Sequence, residues 1–234
     1  MMKSALLGGT LAAITCPALS QLTEDSVIRY NTSSVIGGTD SDGPNTTFGP
    51  TSGEWTHEEF TSAVDGGNGG SASGYQVSDI ANGAYSGYVD AACDAFGDGN
   101  ELANSMAMSH LEVDFSLAVE GEYTLSGFVN AFGEINGENS IADIQLIDLS
   151  DNSLIWGLNV TDDFIAFDEA GTLAAGSYRI VSESLAIVNR DFTNSFGSST
   201  ATVDFEMTVT PSPQTLTTLL VGVGCMSRRR RRLA

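Results

Sequence analysis

The chain has 234 residues, 30 of them acidic against nine Lys and Arg, and a formal net charge of −21. Every acidic residue lies between Glu24 and Glu206, where the basic residues are Arg29, Arg179 and Arg190, so the body of the chain is a polyanion. A surface of this sign repels nucleic acid and anionic lipid, stays in solution by self-repulsion, and attracts cations.

In chain order, the first feature is a leader. Lys3 precedes an apolar stretch from Ala5 to Ile14 and a small-residue site, Ala18-Leu19-Ser20. That is the pattern of a signal peptide over residues 1–20, with cleavage marked by Ala18 and Ser20. Cys16 belongs to the leader, and the residues before it, Thr15 and Ala13, do not form a lipid-attachment motif.

Residues 21–210 are long enough to bury a sizeable core and read as one domain. Residues 31–53 are crowded with Thr, Ser, Asn, Asp and Gly, and Gly66-Gly67-Asn68-Gly69-Gly70 interrupts the next stretch. The segment 31–74 is therefore expected to be rich in loops or mobile insertions. Within it, Glu54 to Val64 reads as either a strand or a short helix. Tyr75 to Ile80 with Ala84 to Ala92 reads as a hairpin of small side chains.

Leu111, Val113, Phe115, Leu117 and Val119 are apolar at every second position with Glu112, Asp114 and Ser116 between them, which marks a strand buried on one face. Glu120-Gly121 suggests a tight turn into Tyr123, Leu125, Gly127 and Val129, so residues 111–132 are expected to form a β-hairpin. Ala142 to Leu149 and Leu154 to Val160 flank an Asp151-Asn152 turn. Ala174-Ala175-Gly176 leads into a strand from Tyr178 to Val188, and Ala201, Val203, Phe205, Met207 and Val209 alternate with polar residues in the last strand. No long amphipathic helix, repeat or heptad pattern is present. The expectation is an all-β fold: an antiparallel β-sandwich or jelly roll.

Chemistry-bearing residues are few. His57 lies in Trp55-Thr56-His57-Glu58-Glu59-Phe60 and lacks the second histidine of a zinc-protease helix, while His110 borders a strand. Cys93 is the only cysteine in the domain, so no internal disulfide is available, and without a neighbouring base in sequence it reads as buried filler or a spare thiol. Gly70-Ser71-Ala72-Ser73-Gly74 misses the nucleophile-elbow pattern because its centre is alanine. Glu54 beside Trp55, with Glu58 or Glu59, is the candidate set for glycoside hydrolysis, since an aromatic next to an acid can stack on a sugar ring. Hard oxygen donors suited to calcium cluster at Asp40 and Asp42, and again at Asp94, Asp98, Asn100 and Glu101, although neither group has EF-hand spacing. Asn31, Asn45 and Asn159 stand in glycosylation sequons. The reading assigns no catalytic residue and no resident cofactor, calcium being the one candidate.

After the domain come Pro211-Ser212-Pro213, an apolar run over residues 215–226, and Arg228, Arg229, Arg230, Arg231 and Arg232. Fixed positive charge behind an apolar stretch stops translocation and stays on the cytoplasmic side. About 12 apolar residues at about 1.5 Å each fall short of a roughly 30 Å hydrocarbon core, so the stretch suits a sorting helix better than a permanent anchor. These ordered features resemble the PEP-CTERM sorting tail, in a planctomycete-like version with Ser212 in place of the usual glutamate. The resemblance implies export, signal peptidase and exosortase-like processing, transient inner-membrane tethering, and association with extracellular polysaccharide at the cell surface or in the matrix. A non-catalytic structural or polysaccharide-associated protein is the expectation; a secreted carbohydrate-active enzyme and a calcium-dependent adhesion protein are the alternatives.

Overall fold

The computed structural model describes residues 21–212 apart from 82, 99–101, 134–137 and 192–193. Ala18, Ser20, Pro213 and the arginine cluster lie outside the described residues, as do Asn100 and Glu101. The strands are β1 (Leu22–Gly37), β2 (Asp40–Phe48), β3 (Trp55–Asp65), β4 (Asn68–Ala81), β5 (Ala84–Asp98), β6 (Leu102–Leu117), β7 (Gly121–Gly133), β8 (Glu138–Asp148), β9 (Ser153–Val160), β10 (Asp163–Leu173), β11 (Gly176–Asp191) and β12 (Asn194–Pro211). No helix occurs among the described residues.

The strands form two six-stranded sheets, ordered β2-β1-β6-β11-β8-β9 and β10-β7-β12-β5-β4-β3, with every pair antiparallel. From β5 onward the pairing is nested: β5 with β12, β6 with β11, β7 with β10, and β8 with β9. Nested antiparallel pairs folded over into two sheets make a jelly roll. The β1–β2 hairpin widens one sheet beyond β6, and β3–β4 widens the other beyond β5.

The expected hairpin across residues 111–132 is not formed. Both strands exist, but β6 is flanked by β1 and β11 while β7 lies in the opposite sheet between β10 and β12. With both neighbours of β6 already present, the chain crosses between sheets over residues 118–120, where Ala118 N donates to Gln21 O at 2.8 Å. Hydrophobic alternation reports which face of a strand is buried and says nothing about its lateral partner. The other hairpins read from sequence, β4 with β5 and β8 with β9, are formed.

The region expected to be loop-rich, 31–74, is largely strand, since β1, β2, β3 and most of β4 fill it. The reason is visible in β1, which buries Arg29, Asn31 and Ser33 and leaves Ile28 and Ile36 about 40% exposed. Its alternation is intact, but between Val27 and Val35 the buried set is polar. Glu54 to Val64, open between strand and helix in sequence, is β3.

The interior has two unlike halves. One is built from large apolar side chains, among them Leu111, Phe115, Leu125, Ile144, Leu146, Ile180, Val203 and Phe205, each contributing roughly 1.5 to 3 kcal/mol by burial before entropy is counted. The other is packed with Ala63, Ala72, Ala91, Ala95, Ala103, Ala107 and Ala186, and Cys93 is buried among them. There the sheets approach until backbones nearly touch. A Cβ on Gly74 of β4 would sit 2.7 Å from Met108 O of β6, and one on Gly37 of β1 would sit 2.7 Å from Gly69 Cα of β4. Gly74→Ala is therefore expected to cost about 1–3 kcal/mol, as overpacked sites do. Urea unfolding checks this: the midpoint falls while the slope stays unchanged.

Candidate functional site

Because side chains alternate along each strand, the sheet containing β5 and β12 turns one set outward. Its register places those residues in rows across the strands. One row runs Phe164, Asn130, Thr202, Asp90, Tyr75 and Glu58 from β10 to β3. The row beside it holds Phe128, Asp204, Tyr88 and Val77, and the row on the other side holds Phe132, Thr200, Ala92, Ser73 and Phe60. Phe96 and Phe196 face each other further along. Aromatic residues thus cover a face that an ordinary sandwich would leave polar. Phe60, Phe132, Phe164 and Phe196 are each more than half exposed.

The rings are grouped. Phe128 and Phe164 stack with centroids 5.5 Å apart, and Tyr75 meets Tyr88 edge-on at 6.0 Å. Oxygen-bearing groups fill the gaps between them. Thr202 Oγ1 donates to Asp90 Oδ1 at 2.6 Å, Ser73 Oγ to Glu58 Oε1 at 3.0 Å, and Ser71 Oγ to Asp94 Oδ2 at 2.6 Å. Burial pushes the Asp90 carboxyl above the usual carboxylate range, against the pull of the Thr202 bond. Burial, and then Glu206, does the same to Asp204. The Tyr88 hydroxyl is raised by burial and by Asp90 and Asp204.

The outer face of the other sheet is organised differently. Arg179 forks onto Asp114 at 2.7 and 2.9 Å and reaches Glu112 at 2.9 Å. His110 stacks on Tyr30 at 4.8 Å and lies 3.2 Å from Glu183 and 3.8 Å from Glu112. Asp143 accepts from Gln145 Nε2 at 2.7 Å and from Asn159 Nδ2 at 3.1 Å. Its carboxyl is raised by burial and by Glu183, while those two bonds lower it. Here the charged groups satisfy one another along the sheet, and the face is a strand-to-strand brace.

The residues singled out in the sequence are scattered by the fold. Asp40 and Asp42 belong to edge strand β2, where Asp40 accepts from Ser41 N at 3.0 Å and Val64 N at 3.4 Å, and Asp42 from Asn45 Nδ2 at 3.5 Å. Asp94 stands in the middle of the opposite sheet with both oxygens engaged by Ser71, and Asp98 ends the same strand. Among the described residues no group of three or more His, Cys, Asp or Glu is placed to hold a metal ion. Glu54 stands exposed just before β3, and Glu58 and Glu59 point to opposite faces of that strand. Glu59 turns inward, accepts from Thr47 Oγ1 at 2.5 Å and lies 3.5 Å from His57, which stacks on Trp55 at 5.6 Å. Ser71 and Ser73 lie in extended β4, not in an elbow. Asn31 is fully buried, which closes its sequon in the folded protein.

The aromatic face was missed in the sequence. Its signal was phase: in β7, Phe128 and Phe132 occupy the positions opposite to the buried Leu125, Val129 and Ala131.

Neither a protein-family model nor a curated protein matches the chain. Among solved structures, it is similar to the enzymatically active domain of tailspike protein 4 of bacteriophage CBA120, at 10% identity and a TM-score of 0.22 over 65% of this chain and 19% of that one. It is also similar to the GH31 α-xylosidase of Xanthomonas citri, at 9% identity and a TM-score of 0.21 over 65% and 32%. A third is the Clostridium thermocellum xylanase 10B CBM22-1–GH10 structure with xylohexaose, at 15% identity and a TM-score of 0.18 over 67% and 26%. The chain spans no more than about a third of those proteins, and overlaps this slight carry no inference about activity.

The raised Asp90 carboxyl makes a pH prediction. The folded protein holds that proton more tightly than the unfolded chain, so its contribution is fully present below about pH 4, the unfolded carboxylate range, and is lost as pH rises through the folded value. Asp90→Asn removes the loss while still accepting from Thr202. Its Tm is expected to exceed the parent's at pH 7, with the gap closing as the pH is lowered past 4; thermal melts at both pH values check the sign.

Proposed function

We propose that this is an exported protein of the cell envelope or extracellular matrix whose sandwich holds polysaccharide on the ring-covered outer face without cleaving it. The observation that carries the reading is the alternation of rings with hydroxyl, amide and carboxylate groups across the outer face of one sheet. Aromatic faces stack on the apolar sides of sugar rings, and the oxygens and amides between them suit sugar hydroxyls. From β10 to β3, at about 4.8 Å per strand, the rows are roughly 24 Å long, room for several sugar units of an extended chain. Export rests on the leader at Lys3 to Ser20 and on the tail at Pro211 to Arg232, which together suit signal peptidase and an exosortase-like enzyme.

Affinity electrophoresis through gels containing soluble polysaccharides tests the binding. The parent is expected to be retarded with the glycan left unshortened. Phe132→Ala and Phe164→Ala, both at exposed positions, are each expected to weaken retention about five-fold, corresponding to about 1 kcal/mol per ring contact. Unchanged mobility of both variants, or release of oligosaccharides by the parent, refutes the reading. The tail is tested separately by mass spectrometry of the native extracellular form, which is expected to end upstream of the arginine cluster; an intact terminus at Ala234 counts against processing.

A further inference from the structure

The ring-covered face is also a face without a cation. None of its strands, β3, β4, β5, β7, β10 and β12, contains a lysine or an arginine. Among the described residues every arginine, Arg29, Arg179 and Arg190, lies on the other sheet. On that other sheet Arg179 takes up Glu112 and Asp114, and His110 stands against Glu183. On the ring-covered face Asp90, Asp204 and Glu58 stand among Tyr75, Tyr88 and Phe128 with hydroxyl groups for neighbours.

A polyuronate or sulfated glycan brought to this face meets like charge from Asp90 and Glu58 in one row and Asp204 in the next, and no basic side chain there neutralises it. A neutral glycan satisfies the rings and offers the carboxylates hydroxyl donors without opposite charge. A glycan with protonated amines satisfies both, since an ammonium pairs with a carboxylate and also sits favourably over a tyrosine face. Building on the proposed function, we infer that the polysaccharide held here is cationic: an amino-sugar polymer with free, protonated amino groups. Burial of Asp90 and Asp204 adds to the preference, because an approaching cation relieves the cost of keeping those carboxylates charged away from bulk water.

Isothermal titration calorimetry of the full-length protein at pH 6 tests this with three hexasaccharides of one length: fully de-N-acetylated glucosamine, N-acetylglucosamine and galacturonate. The de-N-acetylated hexamer is expected to bind about ten-fold more tightly than the acetylated one, with galacturonate giving no heat, and the preference is expected to shrink in about 0.5 M salt. General attraction to an acidic protein is separated by paired variants. Asp90→Asn with Asp204→Asn is expected to bring the two glucosamine hexamers to within about two-fold of each other. Asp148→Asn with Asp151→Asn, the same charge change at the β8–β9 turn, is expected to keep the preference. Glu58→Gln, at an exposed position, provides a second arm if the buried pair fails to fold. Equal or tighter binding of the acetylated hexamer, or loss of the preference in the turn variant, overturns the charge assignment and leaves glycan binding standing. Absence of binding by all three hexamers overturns both.

Discussion

The spacing between the two sheets in the small-residue half constrains everything else in this molecule. Where a sandwich is usually about 10 Å thick, set by interdigitating side chains, here alanine, serine and glycine let backbones come near contact. Side chains then reach the opposite sheet's carbonyls directly. Ser105 donates to Asp94 O at 2.5 Å, Ser184 to Val89 O at 2.7 Å, Asn31 to His57 O at 2.8 Å, and Ser199 to Asn139 O at 3.0 Å. Each bond nets only about 0.5–1.5 kcal/mol, but a buried carbonyl or hydroxyl stripped of its partner costs more than that. The bonds therefore fix the lateral position of one sheet over the other more firmly than a slippery apolar layer would, and the large-side-chain half supplies most of the burial energy.

A thin interior changes what the outside must carry. β1, the first half of β6 and β11 put Arg29, Asn31, Ser33, Ser105, Ser109, Ser182 and Ser184 inside, so their bulky residues fall on the outward phase. On one sheet these are Ile28, Tyr30, Met106, Met108, Leu185 and Ile187, half covered by one another and by the ion-pair brace from Arg179 to His110. The other sheet carries phenylalanines and tyrosines outward, with no arginine to cover them. The inversion of polarity inside follows from the close approach, whereas Phe128 and Phe164 stand on β7 and β10, which line the large-side-chain half.

This also explains which parts of the fold could be read from sequence. β12 and the second half of β6 alternate between apolar and polar because they line the large-side-chain half, so Leu111 to Leu117 and Ala201 to Val209 announce their buried face. The hairpins over Asp151-Asn152 and near Gly83 are legible because positive φ at Asn152 and Gly83 demands those residue types. β1 and β2 are opaque, since a strand that buries Asn31 and Ser33 and exposes Ile36 has the composition of a loop. The crossing from Leu117 to Gly121 is opaque for another reason: a short connection after an amphipathic strand fits a hairpin and a sheet crossing equally well, and only the places already taken by β1 and β11 decide. The carboxylates of the candidate face, Asp90 and Asp204, were hidden among 30 acidic residues, because only the register across β5 and β12 sets them apart from the rest.

Exposed rings on a sheet face ordinarily invite a second copy of the same face. Two such faces brought together here would bring Glu58, Asp90 and Asp204 of each copy against their counterparts in a closing, low-dielectric gap with no basic side chain on either side. Edge strand β10 adds to the barrier, since Asp168 stands on the same phase as Phe164. The same carboxylates oppose face-to-face self-association by like charge and suit the cationic partner proposed above. For a chain of net charge −21 the partner most abundant in any solution is itself, and like charge works against that pairing of its exposed phenylalanines.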